Sequence, residues 1–138
     1  MNRRLFASYW LPVIAYAALI LAVSSIPGSA LAKLPFSFWD KSAHVVEYGI
    51  LSLLAGRAVR ATFPGEGSST RVALAVIAAV VAFGAIDEIY QGTRGRDADI
   101  LDLAADAAGA TLAQTIQTVR ARGARGRCLS AARGESGA

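Results

Sequence analysis

The stretch VALAVIAAVVAFGAIDEIYQ, residues 72–91, decides how the rest of the chain is read. Val72 to Ile86 carries no charge, and Asp87-Glu88-Ile89-Tyr90-Gln91 closes the run with two carboxylates and an amide. A helix of ~20 residues covers about 30 Å, the thickness of a bilayer's hydrocarbon core. The run is therefore a membrane span whose last turn is polar. A second apolar run, Tyr9 to Ile26, has Pro12 in its first turn, where a missing N–H does little harm. Tyr9, Trp10 and Tyr16 suit an aromatic belt at one interface. Pro27 and Gly28 stop that run.

Composition agrees. Of 138 residues, 54% are hydrophobic and 17% charged, against roughly 25% charged in an average soluble domain. So small a chain has too little interior to hide that much apolar surface from water. The net charge of +4 does not point to nucleic acid, because the basic residues sit in loops and tails and do not alternate with aromatics. They suit topology determinants and contact with anionic lipid headgroups. One cysteine, Cys128, cannot form an internal disulfide.

Between and after the apolar runs lie two weaker helices. Asp40 to Arg60 contains Glu47, and Asp97 to Val119 is acidic in its first half. Leu34 to Trp39 reads as an interfacial connection, and Thr62 to Thr70 as a turn cluster. The expected fold is all-α: an integral membrane four-helix bundle with helices at about 9–26, 41–60, 71–90 and 98–119. Residues 1–119 form the domain, and 120–138 is a basic, disordered cytoplasmic tail. A cleavable signal peptide is the rival reading of the start, with Ala30-Leu31-Ala32 as the cleavage pattern. The first apolar run is longer than the ~7–15 residues of a signal core.

Placing the amino terminus in the cytoplasm puts Arg3, Arg4, Arg57, Arg60, Arg71, Arg120, Arg122, Arg125, Arg127 and Arg133 on one side. Lys33, Lys41, Arg94 and Arg96 fall on the other. The Lys/Arg excess marks the cytoplasmic face, so both termini are expected there, in a multi-pass protein of a bacterial inner membrane. The acids divide the opposite way. Asp40, Glu47, Asp87, Glu88, Asp97, Asp99, Asp102 and Asp106 gather in the outer half, leaving Glu66 and Glu135 inside.

Helical periodicity sharpens the convergence. Asp40, His44, Glu47 and Leu51 share one face of the second helix, with Tyr48 beside it. Asp87 and Gln91 share a face of the third, with Glu88 about 100° away. Asp99, Asp102, Asp106, Gly109 and Ala113 form a stripe on the fourth, where Gly109 and Ala113 permit close helix approach. A charge at the bilayer centre costs ~2.5–3.5 kcal/mol even on insertion scales, so these groups must pair, protonate, meet water or bind a cation. The expectation is a polar pocket between helices two, three and four, open to the outside. A purely structural role, holding helices together, is the plainer alternative. A metal site is another: His44, Glu47, Asp87, Glu88 and Asp102 would favour a hard divalent cation. Ser24 and Ser25 suit the capping of helix-end carbonyls.

The chain resembles the VanZ-like family. The matching residues are Ser24-Ser25-Ile26-Pro27-Gly28, then Asp40-Lys41 with His44 and Tyr48, then Asp87-Glu88 with Gln91, then Arg96, and Asp102 with Asp106 and Gly109. The likeness spans residues 10 to 118. That family often has Asn where Asp106 stands here, so this chain adds an acid. The resemblance implies a small multi-helix membrane protein with an envelope role, its name-giving member being linked to teicoplanin resistance. It also implies that the first segment is retained.

From the residues and the resemblance together, the leading expectation is a protein that binds an amphiphilic envelope ligand, with a role in glycopeptide antibiotic tolerance. Asp40, Lys41, Tyr48, Asp87, Gln91, Arg96, Asp102 and Asp106 would line the site. Lys41 and Arg96 would contact anions, and His44 with Glu88 would form an acid–base pair if chemistry occurs. The alternatives are a membrane-embedded enzyme, hydrolytic or metal-assisted, on a lipid-linked substrate, and a structural or partner-binding subunit. No cofactor is required beyond an optional divalent cation, the bilayer is the obligate partner, and transport would need an oligomer.

Overall fold

The computed structural model describes residues 3–31, 40–66, 70–96 and 99–134. Four long helices carry the fold: α1, Arg3–Ser24; α2, Asp40–Thr62; α3, Thr70–Thr93; and α4, Ile100–Gly134. Short turns at Gly28–Leu31 and Pro64–Glu66 complete the described elements, and no strand occurs among the described residues. α1 and α3 are long and apolar enough to cross a membrane, with mean hydropathies of 1.9 and 2.2. The predicted connection at Leu34 to Trp39 lies outside the described residues.

Pro12 shapes α1. Its missing N–H interrupts the ordinary ladder, and the preceding turn widens into a π turn at Phe6–Trp10, closed by the Leu11 N–H on the Phe6 carbonyl. α1 also begins earlier than predicted, at Arg3. At the other end of the chain the expectation is corrected. Residues 120–134, read as part of a disordered tail, continue α4 to Gly134. Arg and Ala dominate this stretch and favour helix, and elongating a packed helix requires no new nucleus.

The helices alternate in direction. At one end of the bundle the Trp10 indole donates to Thr62 Oγ1 at 3.0 Å, the Arg57 guanidinium lies 5.8 Å from the centre of the Tyr9 ring, and Arg122 donates to Thr70. At the other end Ser24, His44, Asp87 and Asp106 meet. α4 packs most extensively on α2 and then on α3, while α1 lies mainly along α2. Glycines set the α2–α4 distance. A Cβ on Gly109 would run into the Val45 carbonyl oxygen and stand 3.1 Å from the Gly49 nitrogen.

Burial is inverted relative to a water-soluble bundle. Ser24, His44, Ser52, Asp87, Glu88, Gln91, Asp102, Asp106 and Gln114 are buried, beside an apolar core of Ile20, Tyr48, Leu51, Val72, Val76, Val80 and Ala110. Meanwhile Leu11, Ile14, Leu19, Leu74, Ile86, Ile89, Ile100 and Leu112 all face outward. Soluble domains do expose some apolar side chains, but seldom bury this many charged ones.

Candidate functional site at the polar end

The polar end is built from the last turns of α1 and α3 and the first turns of α2 and α4. Asp87 is its centre. Asp87 Oδ2 accepts hydrogen bonds from Ser24 Oγ at 2.8 Å, Gln91 Nε2 at 2.9 Å and Tyr48 Oη at 3.1 Å, so one carboxylate oxygen joins α1, α2 and α3. The i, i+4 spacing of Asp87 and Gln91 makes their contact local. The spacing of His44 and Tyr48 likewise stacks their rings, with centroids 6.0 Å apart.

His44 turns the other way, to α4, where its Nδ1 lies 2.9 Å from Asp106 Oδ1. Gly84 makes room for this pair. A Cβ there would sit 2.5 Å from Asp106 Oδ2 and 3.1 Å from the Tyr48 ring. Asp87 Oδ1 and Asp106 Oδ2 are closed to solvent and have no hydrogen-bond partner among the described residues. Unmet acceptors on residues each only 1% exposed are unusual and call for a physical account.

Nearer the surface, Lys41 Nζ reaches Asp99 Oδ2 at 2.7 Å and Asp102 Oδ1 at 2.9 Å. The Lys41 ammonium holds the exposed Asp99 carboxyl below the usual carboxylate range, aided by the Leu101 N–H that Asp99 accepts at the start of α4. The Asp99 N–H in turn donates to Glu88 Oε1 at 2.6 Å. Arg96 is half-buried, its N–H donates to the Gln91 carbonyl, and its charge reaches Glu47 and Glu88.

The structure therefore brings together Lys41, His44, Tyr48, Asp87, Glu88, Gln91, Arg96, Asp102 and Asp106, with Glu47 half-buried at the margin. The side chain of Asp40, and all of Asp97, lie outside the described residues. Two expected roles change. The predicted His44–Glu88 pair is replaced by His44–Asp106, because Asp106 faces His44 directly while Glu88 takes the Asp99 amide. Lys41, expected to contact an anionic ligand, already bridges two carboxylates. Among the described residues, no three His, Cys, Asp or Glu side chains, those of the expected set His44, Glu47, Asp87, Glu88 and Asp102 included, are grouped closely enough to hold a metal ion.

Ser25 does cap, donating to the Leu21 carbonyl at 2.7 Å, but Ser24 does not. A second polar group was also missed, deeper along α2 and α4. Gln114 Nε2 donates to the Ser52 carbonyl and hydroxyl, and Arg60 donates to Gln114 and Gln117. The signal was available: Gln114 continues the four-residue spacing of Asp102, Asp106 and Ala110. Beside the polar end, an open apolar groove of about 230 Å³ runs between α2 and α4, lined by Val45, Val46, Gly49, Ile50, Leu53, Gly109, Leu112, Ala113 and Ile116. No protein family, curated protein or solved structure matches this chain.

Proposed function

We propose that this chain is a multi-pass protein of a bacterial inner membrane, a four-helix membrane bundle with both termini cytoplasmic, that binds an amphiphilic cell-envelope ligand at its outer, polar end. The observation that carries the reading is the inverted burial: a charged cluster inside one end of a bundle whose outer surface is apolar. Lipid supplies the environment for such a surface, and ionisable groups within a span mark functional sites. The Lys/Arg asymmetry supports the orientation.

The ligand's polar head would meet the rim formed by Lys41, Asp99 and Asp102, where Lys41 is half-exposed. Its apolar chain would lie in the α2–α4 groove, whose Val45 and Gly109 are next to or one turn from His44 and Asp106. The likeness to the VanZ-like family agrees with an envelope role and with glycopeptide tolerance. The test is to purify the chain in mild detergent and identify co-purifying lipids by mass spectrometry. An amphiphile enriched over an unrelated bundle, and lost from Lys41→Ala and Asp102→Asn, is the expected result. A lipid profile identical to the control in the wild-type protein would overturn the reading.

One observation favours a second reading, a membrane-embedded hydrolase on a lipid-linked substrate. Asp106 on His44 Nδ1 is the arrangement that orients an imidazole as a general base. Under that reading His44→Ala and Asp106→Asn change the envelope lipid composition of cells while leaving binding intact. Unaltered composition in both variants would remove it.

A further inference from the structure

The basic residues of the chain are sorted by type as well as by side. Every Lys/Arg residue assigned to the cytoplasmic side is an arginine, against two acids, Glu66 and Glu135, while both lysines, Lys33 and Lys41, fall on the other side. Topology needs only positive charge, which lysine and arginine supply alike. The guanidinium offers more: its planar fork of N–H donors takes the oxygens of a phosphate two at a time.

α4 carries five of these arginines on one element. It continues through residues 120–134, a stretch with Arg120, Arg122, Arg125, Arg127 and Arg133 and no carboxylate. Arg122 donates to Thr70 at the start of α3, and from there the helix runs on for about 18 Å at 1.5 Å per residue. Arg120, Arg122 and Arg127 are exposed. Leu129 is the one large apolar residue of the stretch, so little apolar area is available to lie in a groove, and attraction there is electrostatic. The stretch also has no aromatic side chain on which a base could stack. The exposed Arg57 and Arg71 extend the basic surface onto the ends of α2 and α3. Arg57 lies over the Tyr9 ring, beside the Trp10 indole, and such aromatics sit at headgroup depth.

We propose that this arginine end binds anionic phospholipid of the inner leaflet. Arg71, Arg120 and Arg122 hold lipid phosphates at headgroup depth, and the extension of α4 adds further positive charge. Arg120 to Arg127 covers about 10 Å of helix axis, close to the Debye length of ~8 Å at physiological ionic strength, so the field of the lipid surface reaches this part of the extension. A cluster of arginines directly cytoplasmic of a span is the pattern that gathers anionic lipid. The inference rests on the membrane reading and its orientation, and it needs no ligand at the outer end.

The full chain is placed in nanodiscs of equal parts phosphatidylglycerol and phosphatidylcholine, released in mild detergent, and its retained lipids are counted by native mass spectrometry. Phosphatidylglycerol should be retained over phosphatidylcholine by about fivefold or more, the factor for one arginine near an anionic surface. The preference should fall toward equality in the triple variant Arg71→Gln, Arg120→Gln, Arg122→Gln. It should fall likewise at about 1 M salt, where the Debye length is ~3 Å. Lys41→Ala, at the outer end, should keep it. Equal retention of the two lipids by the wild-type chain would overturn the proposal, as would an unchanged preference in the triple variant. A short RNA that displaces phosphatidylglycerol from the wild-type chain would overturn it in favour of nucleic acid. A chain that stays out of the discs fails the membrane reading as well, whereas one that enters them without preferring phosphatidylglycerol fails this proposal alone.

Discussion

Ser24 Oγ donates to Asp87 Oδ2 at 2.8 Å, which fastens the last turn of α1 to α3 across 63 positions of sequence. The bond makes the first helix a working part of the bundle and gives a graded test. Ser24→Ala removes one of three donors and should cost roughly 0.6–1.7 kcal/mol, the range for polar contacts between membrane helices. Asp87→Leu strands Ser24, Tyr48 and Gln91 together, at about 1–3 kcal/mol for each donor left unmet in a buried site. Denaturant unfolding in detergent micelles measures both, and equal losses would refute the central position of Asp87.

The two glycines facing each other across α2 and α4 differ in what surrounds them. Gly109→Ala drives a methyl into the Val45 carbonyl and should destabilise by about 1–3 kcal/mol, as overpacking does. At Gly49 the added methyl would stand 3.5 Å from the Gly109 carbonyl oxygen, an ordinary contact, so Gly49→Ala should change stability little. Parallel thermal unfolding of the two variants checks the contrast.

Lys41 lies between Asp99 and Asp102. Because the Lys41 charge lowers the Asp99 carboxyl, the stability this pair adds is complete above the usual carboxylate range. It fades as pH falls through the lowered value. Lys41→Met should therefore destabilise at neutral pH and lose part of the acid-side decline. Asp99→Asn should be the milder change at neutral pH, since buried Asp102 keeps its lysine. Stability against pH for the three proteins decides it.

Orientation has its own measurement. Gly92 is exposed at the α3 end, and a Cβ there meets nothing within 4 Å, so Gly92→Cys should be tolerated. In intact cells that cysteine should react with a membrane-impermeant thiol reagent. Cys128, exposed on the far part of α4, should react only after lysis. The opposite labelling order would invert the proposed topology.

The four helices were legible because apolar runs and polar stripes repeat with helical spacing. α2 and α4 were found from their shared polar faces, since neither passes as a span by hydropathy among the described helices. The boundaries were less legible. The proline-induced widening at Phe6–Trp10 depends on backbone geometry, and the extension to Gly134 on continuation from a packed stem. Periodicity identified which residues of α2, α3 and α4 converge, but not who bonds whom. His44 chose Asp106 because Gly84 opens space for that carboxylate, a relation between helices with no local sign. Ser24 was misjudged for the same reason: a serine at a helix end has a local use, and only the fold brings Asp87 to it.

The unequal hydropathy of the helices has a consequence for how the protein is made. On the membrane reading, α1 and α3 are the helices long and apolar enough to cross a bilayer, whereas α2 is synthesised before the Asp106 that His44 bonds in the finished bundle. Asp87 and Asp106 reach it only after many more residues have been synthesised. On that reading the second helix gains its buried polar contacts only once the third and fourth have been made. A truncation within α4 ahead of Asp106 would then deprive α2 of the carboxylate that His44 bonds, so the two halves of the chain depend on each other.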